Sequence, residues 1–147
     1  MRLTTVIRWA VIGGALLECL AFGAFGGYEL WWGIANSDRV EGLADLVSNV
    51  ISVGILALAA GFGLGAFLLS FRYIGLRIAG AAFHLVATAL AASALVWLGV
   101  QEVGHSDDWS PGIAFVVAAA VIAIGLAVLV SLFLRVQRQG KSPAAAG

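Results

Sequence analysis

Leu46 to Ser70 reads LVSNVISVGILALAAGFGLGAFLLS, twenty-five residues without a single charge. A helix needs about 20 apolar residues to cross a hydrocarbon core of roughly 30 Å. This segment is therefore a membrane span. In lipid no water satisfies the backbone N–H and C=O groups, so the segment must be helical. Three more stretches have the same character. One runs from about Val6 to Tyr28, interrupted by Glu18 in its middle and with Arg8 near its start, and one runs from about Ile78 to Val100 with His84 as its titratable group. The last runs from about Ile113 to Leu134 without any titratable group. The alternating ten-residue segments of a membrane barrel are absent.

Composition fits these four spans. The 147 residues are 62% hydrophobic and 11% charged, with a mean hydropathy of +1.04. A soluble domain is roughly half apolar and about a quarter charged. The excess is spread along the whole length, which a cleavable leader would not explain. Formal net charge is zero, so the global field offers nothing to nucleic acid.

The charges predict orientation. Arg2 and Arg8 lie before or at the start of the first span, Arg72 and Arg77 lie between the second and third, and Arg135, Arg138 and Lys141 follow the fourth. Arg39 alone falls on the other side, together with Glu29, Asp38, Glu41, Asp45, Glu102, Asp107 and Asp108. The positive-inside rule makes the basic side cytoplasmic. The expectation is an all-α, up-down four-helix bundle over residues 1–138, with both termini cytoplasmic. Residues 139–147 should be a disordered cytoplasmic tail. Short loops and Ala/Gly-rich spans point to a bacterial inner membrane.

The connections carry their own signals. Asp38 and Glu41 have the spacing of an N-cap and an acidic third position. They predict a short interfacial helix or an early start of the second span. Ser110-Pro111 reads as N-cap and first helical position for the fourth span. The link from Phe71 to Arg77 is short, which makes spans two and three a hairpin. Trp31, Trp32, Trp97 and Trp109 fall at the outer interface, with Trp9 and Tyr73 at the inner one. Such rings anchor at the headgroup level. An exterior docking patch is the alternative reading, since aromatics are enriched at protein interfaces.

Glu18 is the sharpest chemical feature. It lies ten residues after Arg8, at a depth of about 15 Å for a rise of 1.5 Å per residue. An ionised carboxylate there is costly unless paired, hydrogen-bonded or protonated, and such groups are functional candidates by default. The competing reading is a protonated glutamate serving as interhelix glue. His84 lies seven residues after Arg77, about 10 Å in from the same side. If spans one and three are neighbours, the two side chains can meet, and such a pair could carry a proton or bind a cation. A neutral histidine donating to a carbonyl is the plainer alternative. A haem ligand ranks lower, because a single chain offers no second intramembrane histidine.

Asp45, Ser48, Asn49 and Ser52 share one helix face at i, i+3, i+4 and i+7. They could line a water-filled vestibule leading toward Glu18, or form a solvated end turn against the exterior loop. Small residues recur at intervals of four, at Ala57, Gly61 and Gly65 and at Ala59 and Gly63, with Gly23, Ala24, Gly26 and Gly27 in span one. Span three adds Ala79, Gly80, Ala87, Ala91 and Ala94. Such faces allow close helix approach, within the bundle or to a protein partner.

Several chemistries are disfavoured. One cysteine, Cys19, excludes an intrachain disulfide and a cysteine metal cluster. Neither a phosphate-binding G-x-x-x-x-G-K loop nor a paired-histidine zinc motif is present. No Ser-His-Asp set lies at matched depth. His105 with Asp107 and Asp108 reads as a solvated acidic loop before it reads as a divalent-cation site. No metal or cofactor is predicted. In its midspan glutamate on the first of four helices the chain resembles the small multidrug resistance transporters. It departs from them in its longer chain, its larger first exterior loop and its lack of their later tryptophan and tyrosine pattern. The leading expectation is a non-catalytic accessory or scaffold subunit. A homo-oligomeric proton-coupled transporter using Glu18 comes second, and a redox subunit with haem on His84 last.

Overall fold

A computed structural model describes residues 3–36, 43–103 and 110–140. Within these it is all helical. The helices are α1 (Leu3–Ala35), α2 (Leu43–Ser70), α3 (Ile74–Glu102) and α4 (Ser110–Gly140). All four are long and apolar enough to cross a membrane.

Every helix outruns the span expected from apolar content. α1, at 33 residues, is about 50 Å long at 1.5 Å per residue, well beyond the roughly 30 Å hydrocarbon core. The reason is that helix propagation costs little once a turn exists, so polar flanks continue what the apolar stretch begins. α1 therefore carries Glu29, Trp31 and Trp32, which sequence reading places in a loop or at its edge. α2 starts at Leu43, an early start of the second span. Asp38, Glu41 and the region of His105, Asp107, Asp108 and Trp109 lie outside the described residues. α4 does begin at Ser110-Pro111 but runs through Gly140, past the expected tail boundary at residue 139. Residues 141–147 are not described.

The link between α2 and α3 is shorter than expected, Phe71 to Tyr73. Ser70 Oγ donates to Phe67 O at 2.6 Å, and Phe71 N–H donates to Leu68 O at 3.3 Å, tightening the last turn. Arg77 is consequently not a loop residue. It sits in the first turn of α3 with only 4% of its surface exposed.

α1 packs on α2, α2 on α3 and α3 on α4, while α1 and α4 close the ring through a smaller contact. α1–α3 and α2–α4 are thus the diagonals. The interior is built largely from alanine: Ala15, Ala59, Ala66, Ala81, Ala87 and Ala118 are all buried. Large side chains such as Leu17, Leu20, Val86, Leu90, Leu126 and Val130 face outward. A water-soluble bundle would reverse this arrangement, because exposed apolar area costs about 25 cal/mol per Å² in water. In lipid that cost vanishes, and close backbone approach becomes the source of cohesion.

The closest approach joins α2 and α3. A Cβ added at Gly80 would lie 2.9 Å from Gly65 O and 2.9 Å from Leu69 N. Gly61 faces Ala87, and Gly26 faces Ile55 and Leu56. Gly26, Gly61, Gly65 and Gly80 are therefore occupied by neighbouring helices of the same chain, whereas Ala24, Gly27, Ala57 and Ala94 stay exposed. α4, which has no polar signal in its span, is seated by Gly125 beneath Thr88.

Candidate functional site: the Glu18–His84 layer

Two apolar layers cross the bundle. The one nearer the basic end contains Val11 and Ile12 from α1, Leu69 from α2, Ala81 from α3 and Val128 from α4. The other contains Phe62, Ala87, Ala91 and Val121, with Cys19, Phe22 and Leu58 packed against it. Helical spacing explains both. Phe62 and Leu69 are seven residues apart, as are Val121 and Val128, so each pair lies on one face two turns apart.

Glu18 and His84 lie between these layers. His84 Nε2 is 3.3 Å from Glu18 Oε2. His84 is 0% exposed and Glu18 4% exposed. α1 and α3 are diagonal rather than adjacent, so the expectation that contact requires neighbouring helices was too strict. A glutamate and a histidine are long enough to meet over the bundle axis when the intervening residues are small. Gly65 provides the space: a Cβ there would lie 2.9 Å from His84 Cβ. Phe62 closes the other side, its ring edge-on to the imidazole at 5.2 Å between centroids. Phe22 packs on Phe62 in turn, at 5.3 Å.

The contact is within ion-pair distance but lacks hydrogen-bond alignment. Both carboxylate oxygens of Glu18 and both ring nitrogens of His84 are buried without a hydrogen-bond partner, and so is Thr88 Oγ1. Burying polar groups in this state is costly, so the four unpartnered atoms of Glu18 and His84 form a site where a proton, a bound water or a small rearrangement would be stabilised. One proton on either Nε2 or Oε2 gives an attractive contact in both cases, as an ion pair or as a neutral donor and acceptor.

Thr88, one turn beyond His84, is a buried polar residue that sequence reading missed. Its signal was available, since it follows His84 by four residues and so shares its face. Cys19, next to Glu18, turns its sulfur toward Gly63, where an added Cβ would lie 2.9 Å away.

The candidate vestibule is placed only in part. Asp45 and Ser48 belong to α2, but their side chains lie outside the described residues. Asn49 sits opposite Gly33 of α1, with its Oδ1 buried and lacking a hydrogen-bond partner. Ser52 is 1% exposed, so it faces the bundle interior rather than water. Trp31, Trp32 and Trp97 all project outward. Trp9 also projects outward, and the Arg8 guanidinium lies 5.6 Å from its ring centroid, within cation–π range.

No protein-family model, curated protein or solved structure matches this chain.

Proposed function

We propose that the chain is a non-catalytic accessory or scaffold subunit of a larger membrane assembly, in which the Glu18–His84 contact is an internal lock. In this reading the four spans run up and down through a bacterial inner membrane, with both termini cytoplasmic. Support for the orientation comes from charge: seven of the eight basic residues fall on one side of the spans, the cytoplasmic side by the positive-inside rule.

The observation that carries the functional reading is the closure of the polar layer. Apolar side chains from all four helices lie toward the basic end, and Phe62, Phe22 and Val121 lie toward the other. A carrier must expose its coupling carboxylate to one side at a time, whereas a sealed acid–base contact fixes helices relative to each other. It also aligns α1 with α3, which the ring of neighbour contacts does not do directly. Outward-facing apolar side chains on every helix supply surface for lipid and for partner spans.

A proton-coupled carrier is the second reading, and the five unsatisfied polar atoms of Glu18, His84 and Thr88 favour it. Haem ligation by His84 is disfavoured by its surroundings, since its ring is enclosed by Phe62, Gly65 and Glu18. The test is proton flux into liposomes carrying the purified chain and an internal pH dye, under an imposed pH gradient. The lock predicts the leak rate of empty liposomes for wild type and for Glu18→Gln alike. Flux that requires the protein and disappears in Glu18→Gln would overturn it. In native membranes the chain should also migrate in a complex containing other subunits. Migration solely as itself would remove the accessory role.

A further inference from the structure

The basic end of the bundle holds a second unusual residue. Arg77 is 4% exposed, and its Nε and Nη1 are buried without a hydrogen-bond partner. An uncompensated buried charge is among the most costly things a fold can contain. The charged groups that act on it are cationic too, Arg135 of α4 and Arg8 of α1. Arg8 is held in place there, donating to Ser70 O at the end of α2, and its own Nε is also buried and unpartnered. Three helices thus converge three guanidinium groups on one end.

Apart from Glu18, one apolar layer deeper, no Asp or Glu occurs in residues 1–28, 46–101 or 109–147. Every other acid falls in residues 29–45 or 102–108 of the sequence. Repulsion would spread flexible cations into water, yet Arg77 is enclosed at the third residue after the start of α3. That is about 5 Å along the helix from its start at 1.5 Å per residue.

We propose that Arg77, with Arg8 and Arg135, binds a phosphate-class oxyanion at the basic end of the bundle, either the phosphodiester of an anionic phospholipid or a free phosphate. A planar guanidinium suits this chemistry because its fork of N–H donors matches two phosphate oxygens. Pockets of basic residues between spans on the cytoplasmic side are a recognised form of lipid headgroup site.

Native mass spectrometry of the delipidated protein tests the proposal, with phosphatidylglycerol, phosphatidylcholine and inorganic phosphate added separately. Wild type should bind phosphatidylglycerol saturably in preference to phosphatidylcholine. Arg77→Gln should weaken that binding by about tenfold or more, the loss expected for a charge-assisted hydrogen bond, and Arg135→Gln should weaken it less. Displacement of the lipid by millimolar inorganic phosphate would support the oxyanion site and identify the free ion as its occupant. Failure of phosphate to compete would identify the lipid. Should Arg77→Gln not fold, Arg8→Gln and Arg135→Gln carry the test. Equal binding of the two lipids by wild type, or a preference unchanged in the foldable variants, would overturn the proposal.

Discussion

Replacing Gly65 by alanine places a methyl group at the tightest point beneath the polar layer. The new Cβ would lie 2.9 Å from His84 Cβ, 3.2 Å from His84 Cα and 3.1 Å from Gly80 O. Carbon atoms rest at about 3.5–4.0 Å, so the overlap is half an ångström or more. None of these atoms can move by side-chain rotation, because each is fixed to the α3 backbone. The helices must separate, which draws His84 away from Glu18. Overpacking of this kind costs about 1–3 kcal/mol, against the roughly 0.5–1 kcal/mol that alanine gains over glycine inside a helix. The net loss should be about 1–2 kcal/mol. Gly54→Ala is the control, since nothing lies within 4 Å of a Cβ there and only the gain of about 0.5–1 kcal/mol applies. Reversible unfolding of both variants by dodecyl sulfate titration in mixed micelles measures the difference. If Gly65→Ala proves as stable as Gly54→Ala, the close α2–α3 crossing and the seating of His84 by Gly65 are wrong.

Two further outcomes follow from the same layer. In a double-mutant cycle, Glu18→Gln and His84→Gln should be non-additive by about 0.6–1.7 kcal/mol, the span measured for polar contacts between membrane helices; additivity within about 0.3 kcal/mol would mean the side chains do not interact. Gly63→Ala should destabilise the bundle through the Cys19 sulfur 2.9 Å from the added Cβ, and Cys19→Ala should restore stability in the same micelle titration. A Gly63→Ala defect that Cys19→Ala leaves unchanged would refute that contact.

Much of the fold was legible because the bilayer imposes a single rule on the backbone. A run such as Leu46–Ser70 without charge can only be a helix of spanning length, and four such runs fixed the element count. Helix ends were less legible. Apolar content marks the hydrocarbon core, but α1 continues through Trp31 and Trp32 to Ala35 and α4 through Arg135 to Gly140, because helix propagation does not stop at the core boundary. The matched depths of Glu18 and His84 were readable by counting from Arg8 and Arg77. Their meeting was not, since it depends on the diagonal placement of α1 and α3 and on the space left by Gly65. Arg77 shows the limit most clearly. Charge alone assigned it to a link, and only the early start of α3 revealed it as a buried cation.

Carbodiimide labelling of Glu18 in intact membranes, measured across pH 5 to 9, tests the sealed layer most directly, since the reagent must reach the carboxyl and the pH range, a choice on the order of the span over which coupling groups titrate, would expose any water access. The lock predicts no labelling of Glu18 at any pH while the folded bundle persists, and labelling only after denaturation. Labelling of the folded protein that follows a titration curve would contradict it, and would make Glu18 a water-accessible protonatable group.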